Sequence, residues 1–277
     1  MLQSFLRVAG ILAAVYVAVC ALAWRYQDRL AFPSPRVRLP DPSEFNIPDA
    51  ERISVTTSDG VVLRGWYLAP APRLPEGQRA AGLVWFYGNM EALAYIGPIL
   101  RYLRPPHMGV VALDYRGYGE SGSAATEAGI YRDAEAAWHY LTQRPEIDPA
   151  RIAVYGRSVG SVPALYLATS QPVRAVVLDS PLTSAREMAS LHYGFLPGFL
   201  IHLSLDNRER AARLSAPLLV FHGTKDQIAP VAMGEEIARA GKGELVRIEG
   251  AGHNDTYDQG DERYQQKMWA FLTEATR

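Results

Sequence analysis

The sequence predicts an α/β protein of three layers, in which a mostly parallel central sheet follows an N-terminal β-hairpin. Three observations lead to this fold class: short apolar runs recur along the chain, helical stretches separate them, and a turn signal joins the first two strand-like runs. The 277 residues are enough to bury the core of one large domain. A formal net charge of −1 argues against nucleic acid as a main partner, because phosphate binding needs a basic face.

The region near the N-terminus predicts a membrane anchor over residues 1–30. No charged residue interrupts the apolar run from Val8 to Trp24, whose 17 residues would reach about 26 Å as a helix, near the short end for a membrane span. A cleaved signal peptide with an A-x-A site at residues 21–23 is the alternative. More arginines follow this run than precede it, which favours a cytoplasmic catalytic domain, although the side of the membrane stays open.

The remaining elements follow in order along the chain. A proline-rich connector at 31–50 is expected either as a stalk or as a segment laid over the surface of a catalytic domain at 51–277. Ser58-Asp59-Gly60 separates two strand-like runs and predicts the hairpin. Buried strands are predicted at 81–87, 109–115, 151–156, 174–180, 217–223 and 244–250, and helices at 127–144, 159–169, 231–240 and 262–276. Ligand sites in such sheets lie beyond the carboxyl ends of the strands.

The connection at 183–214 is longer than usual and contains many large apolar residues between Leu191 and Leu205. It is either a packed helical crossover with an elaboration, or a short helical lid that lines an apolar acyl pocket or touches the bilayer. If it forms the pocket, replacing Phe195 and Phe199 by alanine should change the preferred acyl chain length.

The motif Gly156-Arg157-Ser158-Val159-Gly160 has the G-x-S-x-G pattern of a nucleophile elbow. An apolar strand precedes it and a helix-compatible run follows, as this motif requires. The sharp turn strains the serine and crowds its neighbours, which explains the two glycines. Ser158 is therefore the predicted nucleophile, and the N–H of Val159 is a predicted oxyanion donor.

A serine nucleophile needs a base and an orienting carboxylate, and this architecture places them in the order Ser, Asp or Glu, His. His253 lies in a glycine-rich loop after the last strand and is the predicted base, whereas His222 ends an apolar strand and is expected to be structural. Asp226 follows the penultimate strand and is the predicted acid. Asp179 is the rival, although its Ser-Pro neighbours suit a turn cap, and Asp255 is too close to the base in sequence to orient its ring.

The second oxyanion donor is expected in the loop after the strand at 81–87. Gly88 lets the backbone approach, so the N–H of Asn89 is the first candidate and that of Met90 the second; Asn89 could alternatively cap the next helix. The glycine-rich run at 113–122 is expected to be scaffolding, with no catalytic role for Glu120. No residue pattern indicates a cofactor or a metal.

These motifs together resemble the α/β-hydrolase superfamily, and more narrowly its membrane-anchored α/β-hydrolase domain-containing serine hydrolases. The resemblance extends from about Phe32 to the C-terminus and rests on YGNMEA, DYRGYGESG, GRSVGSVPA, LDNRERAARLSAPLLVFHGTKDQIAP and GAGHND, in the family's order. It implies the three-layer α/β-hydrolase fold and a family of esterases, lipases, peptidase-like members and protein depalmitoylating thioesterases. Tyr87 departs from the family's H-G-N turn, which leaves the backbone donors intact but bears on the polarity of the pocket.

The sequence therefore predicts a serine hydrolase without cofactor or metal, which cleaves carboxylic esters or thioesters through an acyl-enzyme. Its expected partners are a small or lipid-like acyl substrate and a membrane. A peptidase or an acyltransferase of the same fold, or a non-catalytic binding protein, are the alternatives. A dehalogenase or an epoxide hydrolase of this fold would need a carboxylate in place of Ser158.

Overall fold

The apolar runs of the sequence form an eight-stranded sheet in the computed structural model, which describes residues 1–72, 74–75 and 77–277. The strands are β1 (Ala50–Thr56), β2 (Val62–Leu68), β3 (Ala80–Phe86), β4 (Met108–Leu113), β5 (Ile147–Arg157), β6 (Ala175–Asp179), β7 (Leu218–Gly223) and β8 (Glu244–Ile248). Every residue of β3, β4, β6 and β7 is buried. Helices cover both faces of these strands, which explains why their sequences are apolar without alternation.

The sheet has the strand order β1-β2-β4-β3-β5-β6-β7-β8. β2 pairs antiparallel with both β1 and β4, and every later pair is parallel. The hairpin, the six following strands and the mostly parallel sheet are therefore confirmed. All parallel strands end at the same edge, where the loops that contain the candidate site residues begin.

The helices of the described residues are α1 (Leu2–Arg25), α2 (Gln27–Ala31), α3 (Leu93–Leu103), α4 (Glu127–Thr142), α5 (Ser161–Ser170), α6 (Ala185–His192), α7 (Asn207–Ala212), α8 (Val231–Ala240) and α9 (Thr256–Ala275). Contacts link α4, α5, α7 and α8 in that order into one layer. Helices α3 and α9 form the other layer, where the indole Nε1 of Trp269 donates to the carbonyl of Leu103 at 2.9 Å.

Two helices differ from the sequence-based expectation. A helix was expected after Asn89, but the pattern did not predict the bounds of α3, because Gly97 and Pro98 interrupt it. A Cβ on Gly97 would lie 2.6 Å from the ring of Phe45, so this helix needs glycine for close packing. Helix α9 begins six residues earlier than the predicted position 262, and the non-helical residue Asp261 (φ +49°) lies between the two parts.

The N-terminal segment consists of an exposed helix and a connector that packs against the domain. Helix α1 is long and apolar enough to cross a membrane, and none of its residues is fully buried. In the connector, Leu39 and Ile47 are buried, and the indole of Trp66 donates to the carbonyl of Pro40 at 3.2 Å. The connector therefore lies over the surface of the domain, and the expectation of a stalk is wrong.

The long connection at 183–214 contains α6, a 3-10 turn at Gly198–Leu200 and α7. Helix α7 belongs to the helical layer, whereas the chain from Ala185 to Leu205, here called the cap, leaves the layer and lies over the carboxyl edge of the sheet. Both interpretations of this connection thus describe part of it, because an ordinary crossover helix follows an inserted cap.

Candidate active site

The turn between β5 and α5 places Ser158 at the carboxyl edge of the sheet. Its φ is +50°, a left-handed conformation that is costly for a residue with a side chain. A Cβ on Gly156 would lie 2.5 Å from the carbonyl oxygen of Gly160, and a Cβ on Gly160 would lie 2.5 Å from that of Phe86. The backbone approaches too closely at both positions for any larger residue, as the motif predicts.

Ser158, His253 and Asp226 form one chain of hydrogen bonds. The Nδ1 of His253 lies 2.7 Å from Oδ2 of Asp226, and its Nε2 lies 2.8 Å from Oγ of Ser158. With Asp226 ionised, Nδ1 carries the ring proton and donates to the carboxylate, so Nε2 is left to accept from the serine hydroxyl. Such an arrangement can remove the hydroxyl proton as the oxygen attacks a carbonyl.

The carboxylate of Asp226 receives four hydrogen bonds. The backbone N–H groups of Ile228 and Ala229 donate to Oδ1, each at 2.9 Å. The Nε2 of His222 lies 3.2 Å from Oδ2, the oxygen that also accepts from His253. Burial would raise the pKa of Asp226, but the hydrogen bonds from His222 and His253 outweigh it and hold the pKa below its ordinary range. The carboxylate is therefore ionised at neutral pH.

The rival acid, Asp179, is satisfied by other groups. Its Oδ2 accepts from the hydroxyls of Thr256 at 2.7 Å, Tyr264 at 2.9 Å and Tyr155 at 3.4 Å, and its Oδ1 accepts from Ser180 at 3.1 Å. None of these donors belongs to the hydrogen-bond chain of Ser158. Asp179 thus ties β6 to α9 rather than capping a local turn.

His222 is buried, as expected, but it is not remote from the site. Its Nε2 lies 2.7 Å from the carbonyl oxygen of Ala229 and 3.2 Å from the carboxylate of Asp226, so one N–H is shared between both acceptors. His222 therefore stabilises the carboxylate of Asp226 through this shared hydrogen bond. A strand-end histidine four residues before the acid was a usable sequence signal for this contact.

The candidate oxyanion donors border the same cavity as Ser158. Asn89 and Val159 both line that cavity. The side chain of Asn89 is held by structural contacts, since its amide donates to the carbonyl of Ala31 at 2.9 Å and its oxygen accepts from Tyr118 at 2.8 Å. That oxygen also accepts from the N–H of Met90 at 3.1 Å, so the second candidate for the oxyanion donor already has a partner. Among the described residues the N–H of Asn89 has no partner, which favours it as the donor.

Arg157 is a site residue that sequence reasoning missed. It is buried, pairs with Glu91 through Nη1, and donates through Nη2 to the carbonyl of His253 at 3.0 Å and to Oδ1 of Asn254 at 2.8 Å. Glu91 in turn accepts from the N–H of Gly88 at 2.6 Å. One guanidinium thus joins the elbow, the oxyanion loop and the histidine loop. The only sequence signal was a charged residue next to the nucleophile at the end of a buried strand.

Tyr87, the departure from the H-G-N turn, lies behind the site. Its hydroxyl donates to Oδ1 of Asp114 at 2.8 Å and accepts from the N–H of Tyr115 at 3.2 Å. Burial raises the pKa of Asp114 to about 6, and this carboxyl also accepts from the N–H of Leu93 at 2.8 Å. The phenol therefore anchors the oxyanion loop to β4 and is absent from the walls of the cavity.

An apolar cavity of about 360 Å³ leads to Ser158, within the range of small-molecule sites. The cap contributes half of its lining residues: Ala185, Met188, Ala189, His192, Tyr193, Leu196, Leu200, Ile201, Leu203 and Leu205. Phe195 and Phe199 do not line it and are 58% and 82% exposed, so the expectation that they shape the pocket is wrong. In the described part of the chain, no three His, Cys, Asp or Glu residues are grouped so as to hold a metal ion.

Comparisons with known proteins agree with this fold. The sequence profile of the alpha/beta hydrolase fold matches residues 83–203. The uncharacterized protein Rv2307c of Mycobacterium tuberculosis is 38% identical over 257 residues, which cover 90% of this chain and 88% of the relative. Alpha/beta hydrolase domain-containing protein 17C of Xenopus tropicalis is 37% identical over 163 residues, which cover 57% of this chain and 51% of the relative.

Among solved structures, the esterase Pf2001 of Pyrococcus furiosus has the same fold. It superposes with a TM-score of 0.72 at 21% identity, over 87% of this chain and 98% of the esterase. This likeness, the profile match and the full-length relative lead to the same assignment. The chain belongs to the α/β-hydrolase family of hydrolytic enzymes.

Proposed function

We propose that this protein is a serine hydrolase that cleaves carboxylic esters or thioesters through an acyl-enzyme. The observation that supports it best is the hydrogen-bond chain from Ser158 through His253 to Asp226, at the carboxyl edge of the sheet. A hydroxyl, an imidazole and a buried ionised carboxylate in this order are the parts that acyl transfer requires.

In the first half of the reaction, Oγ of Ser158 attacks the carbonyl carbon of the substrate while its proton passes to Nε2 of His253. The carbonyl π electrons move to oxygen, and the N–H groups of Asn89 and Val159 stabilise that negative charge. Asp226 stabilises the imidazolium. The imidazolium then returns the proton to the leaving alcohol or thiol as its bond to the acyl carbon breaks.

In the second half, water takes the place of the leaving group. His253 removes a proton from the water as its oxygen attacks the acyl carbon, and a second tetrahedral intermediate forms in the same oxyanion hole. Its collapse breaks the bond to Oγ of Ser158, which regains a proton from Nε2. The products are a carboxylic acid and the free enzyme, so no redox or metal step is needed.

The apolar cavity supports an acyl chain as the recognised part of the substrate. Apart from the reactive end at Ser158 and Asn89, its walls are mostly apolar side chains, about half of which belong to the cap. Each methylene buried there contributes about 0.8 kcal/mol, or about fourfold in kcat/KM.

Residues 1–30 are proposed to anchor the catalytic domain, 51–277, to a membrane. The length and hydropathy of α1 support the anchor, and the arginines that follow its apolar run, Arg25 and Arg29, favour a cytoplasmic domain. Residues 31–50 act as the connector that packs on the domain surface.

Replacing Ser158 by alanine tests the proposed function. We expect Ser158→Ala to lower kcat for p-nitrophenyl butyrate by at least about 10³-fold and to abolish labelling by a fluorophosphonate probe. Ser161→Ala is the matched control, because that hydroxyl donates to the carbonyl of Ser158 and accepts from the side-chain amide of Asn207, and it bonds neither His253 nor Asp226. Near wild-type turnover in Ser158→Ala would rule out this nucleophile, and a parallel peptide-amide substrate would reveal a peptidase.

A further inference from the structure

The N-terminal segment forms one wall of the cavity that leads to Ser158. Five residues from the end of α1 and from α2 line it opposite the cap: Ala23, Trp24, Gln27, Leu30 and Ala31. A tether that only held the domain near a membrane would not need to contact the cavity. These residues instead complete the enclosure of an apolar space that would otherwise be open on this side.

A buried glutamine fixes this wall to the cap. Gln27 is only 6% exposed; its Nε2 donates to the carbonyl of Leu200 at 2.6 Å, and its Oε1 accepts from the N–H groups of His202 at 3.0 Å and Leu203 at 3.3 Å. The amide therefore pairs with the cap backbone as a neighbouring strand would. The indole of Trp24 packs edge-on against the ring of His202, with 5.9 Å between ring centroids.

The wall also reaches the oxyanion loop. The carbonyl of Ala31, the last residue of α2, accepts from the side-chain amide of Asn89 at 2.9 Å. The residue proposed to supply an oxyanion N–H is thus oriented in part by the N-terminal segment. This contact therefore links the position of the N-terminal segment to the geometry of the proposed oxyanion hole.

A second contact places the cap beside the apolar part of α1. The hydroxyl of Tyr16 donates to the carbonyl of Phe195 at 2.8 Å. Tyr16 precedes Trp24 by eight residues, which is about 12 Å along a helix axis. If the apolar run of α1 spans the hydrocarbon core, the tip of the cap lies inside one leaflet, where a carbonyl without a partner would be costly.

The exposed surface of the cap agrees with that placement. Leu191, Tyr193, Phe195 and Phe199 are all exposed and lie on the chain that contacts Tyr16. A cluster of large apolar side chains facing water is unusual for a free domain. In contact with acyl chains of the bilayer, the same side chains are stabilised.

From these contacts we infer that residues 23–31 are part of the acyl-binding site, and that the substrate is a long-chain acyl ester or thioester dissolved in the bilayer, whose chain enters the cavity from the leaflet. The inference rests on the proposed function for the reaction at Ser158. Three observations support the wall itself: its residues line the cavity, Gln27 bonds the cap backbone, and Tyr16 contacts Phe195. None of these contacts involves the reacting atoms.

The test of the wall compares two alanines of α1 in the full chain reconstituted into phosphatidylcholine vesicles. Ala23 lines the cavity, whereas Ala21 is exposed and does not. We expect Ala23→Trp to lower kcat/KM for p-nitrophenyl palmitate in the vesicles by at least about tenfold and to lower kcat/KM for p-nitrophenyl acetate much less, because fewer methylenes of the short ester are buried. Ala21→Trp should change neither rate. Equal rates for palmitate in both variants would overturn the inference.

Photolabelling separates this inference from the proposed reaction. In Ser158→Ala, which should bind without turnover, a palmitic acid with a diazirine on the chain is expected to label residues 23–31 and the cap, and Ala23→Trp should reduce that label. If these residues are labelled but the wild-type protein hydrolyses no ester, the proposed reaction would be refuted and the acyl site would still be supported. Normal acetate hydrolysis with no label at 23–31 would refute the acyl site alone.

Entry from the leaflet has its own test, because Phe199 is exposed and does not line the cavity. Phe199→Asp should lower the rate for p-nitrophenyl decanoate inside vesicles by at least about fivefold, since a carboxylate at the cap tip resists insertion into lipid. The same ester as monomers in water should be hydrolysed by this variant at the wild-type rate. Equal losses in both media would show that the chain does not enter through the bilayer.

Discussion

Two buried aspartates lie at the carboxyl ends of neighbouring strands, Asp179 as the last residue of β6 and Asp226 in the loop after β7, and their hydrogen-bond donors distinguish them. Asp226 accepts from two histidines and two backbone N–H groups, so it is held ionised and faces the ring of His253. Asp179 accepts only from hydroxyls, which include that of Thr256 at the start of α9. The first environment suits the orientation of a base, and the second suits the joining of two elements.

Substitution of each aspartate should reproduce this difference. We expect Asp226→Asn and His253→Ala each to lower kcat for an ester by at least about 10³-fold, because the members of such a chain act as a unit. Asp179→Asn should keep kcat within about tenfold while lowering the midpoint of thermal unfolding, since it disturbs a hydroxyl cluster. Kinetics with folded, monodisperse protein decide this. A large loss only in Asp179→Asn would reverse the assignment of the acid.

Arg157 should act as a positioning residue. Lysine keeps the charge but cannot bond Glu91, the carbonyl of His253 and Asn254 at once, because it lacks the planar fork of donors. We expect Arg157→Lys to lower kcat about 10- to 100-fold and KM little, with a slower reaction with fluorophosphonate. Arg151→Lys is the control and should leave the rates unchanged, because Arg151 lies six residues earlier in β5 and bonds the carbonyls of Thr276 and Arg79. An unchanged kcat in Arg157→Lys would show that this network contributes to packing and does not position the catalytic groups.

Asp114 should make folding stability depend on pH. Its pKa of about 6 in the folded protein is above the value of about 3.9 for an unfolded chain, so the folded state binds more protons between these values. Its contribution to stability is therefore fully present below pH 4 and is lost as the pH rises through 6. This difference of about two in pKa corresponds to a change of about 3 kcal/mol at most in the free energy of unfolding.

Urea unfolding of wild type and Asp114→Asn from pH 4 to pH 7.5 measures this effect. Asparagine keeps an acceptor for Tyr87 and Leu93 but does not titrate in this range. The difference in unfolding free energy between the two proteins should shift in favour of the variant as the pH rises. A difference that stays constant with pH would contradict the raised pKa.

At the scale of elements, the strands were predictable and the helices less so. β3, β4, β6 and β7 are short and apolar on both faces, a pattern that is typical of parallel strands covered on both sides. The bounds of helix α3 were missed because Gly97 and Pro98 weaken its local signal, although Phe45 packs closely on that glycine. A contact with a residue 52 positions away cannot be deduced from a local window.

The same limit explains why the expectation that Phe195 and Phe199 of the cap shape the pocket was wrong. Periodicity does not say which apolar side chains of an irregular segment face a cavity, and Phe195 and Phe199 face outward whereas Leu196 and Leu200 face the cavity. We therefore expect Leu196→Ala with Leu200→Ala to shift the preferred p-nitrophenyl ester chain length. Phe195→Ala with Phe199→Ala should leave the profile for water-dissolved esters unchanged. Identical profiles in all proteins would show that the cap only packs on the domain.

At the scale of the whole molecule, the parallel sheet brings the site together. Asn89, Ser158, Asp226 and His253 each follow a different strand, β3, β5, β7 or β8, and all these strands end at one edge. Strand order and motif order were therefore enough to name the candidate residues. The sequence could not reveal the role of Arg157 or the wall formed by Trp24 and Gln27, because these depend on side chains that meet from distant segments.

The arrangement of the whole chain favours an anchor over a cleaved signal. Cleavage after Ala23 would remove Tyr16 and its bond to Phe195, and would take Ala23 from the cavity wall. Retention of residues 1–24 keeps these contacts, so we expect the intact mass of the purified protein to include them and the protein to resist extraction by alkaline carbonate. Ala21→Leu, which alters the A-x-A site, should change neither the mass beyond the substitution nor the membrane fraction. A wild-type chain that begins at Trp24 and is recovered in the soluble fraction would show that the segment is a signal.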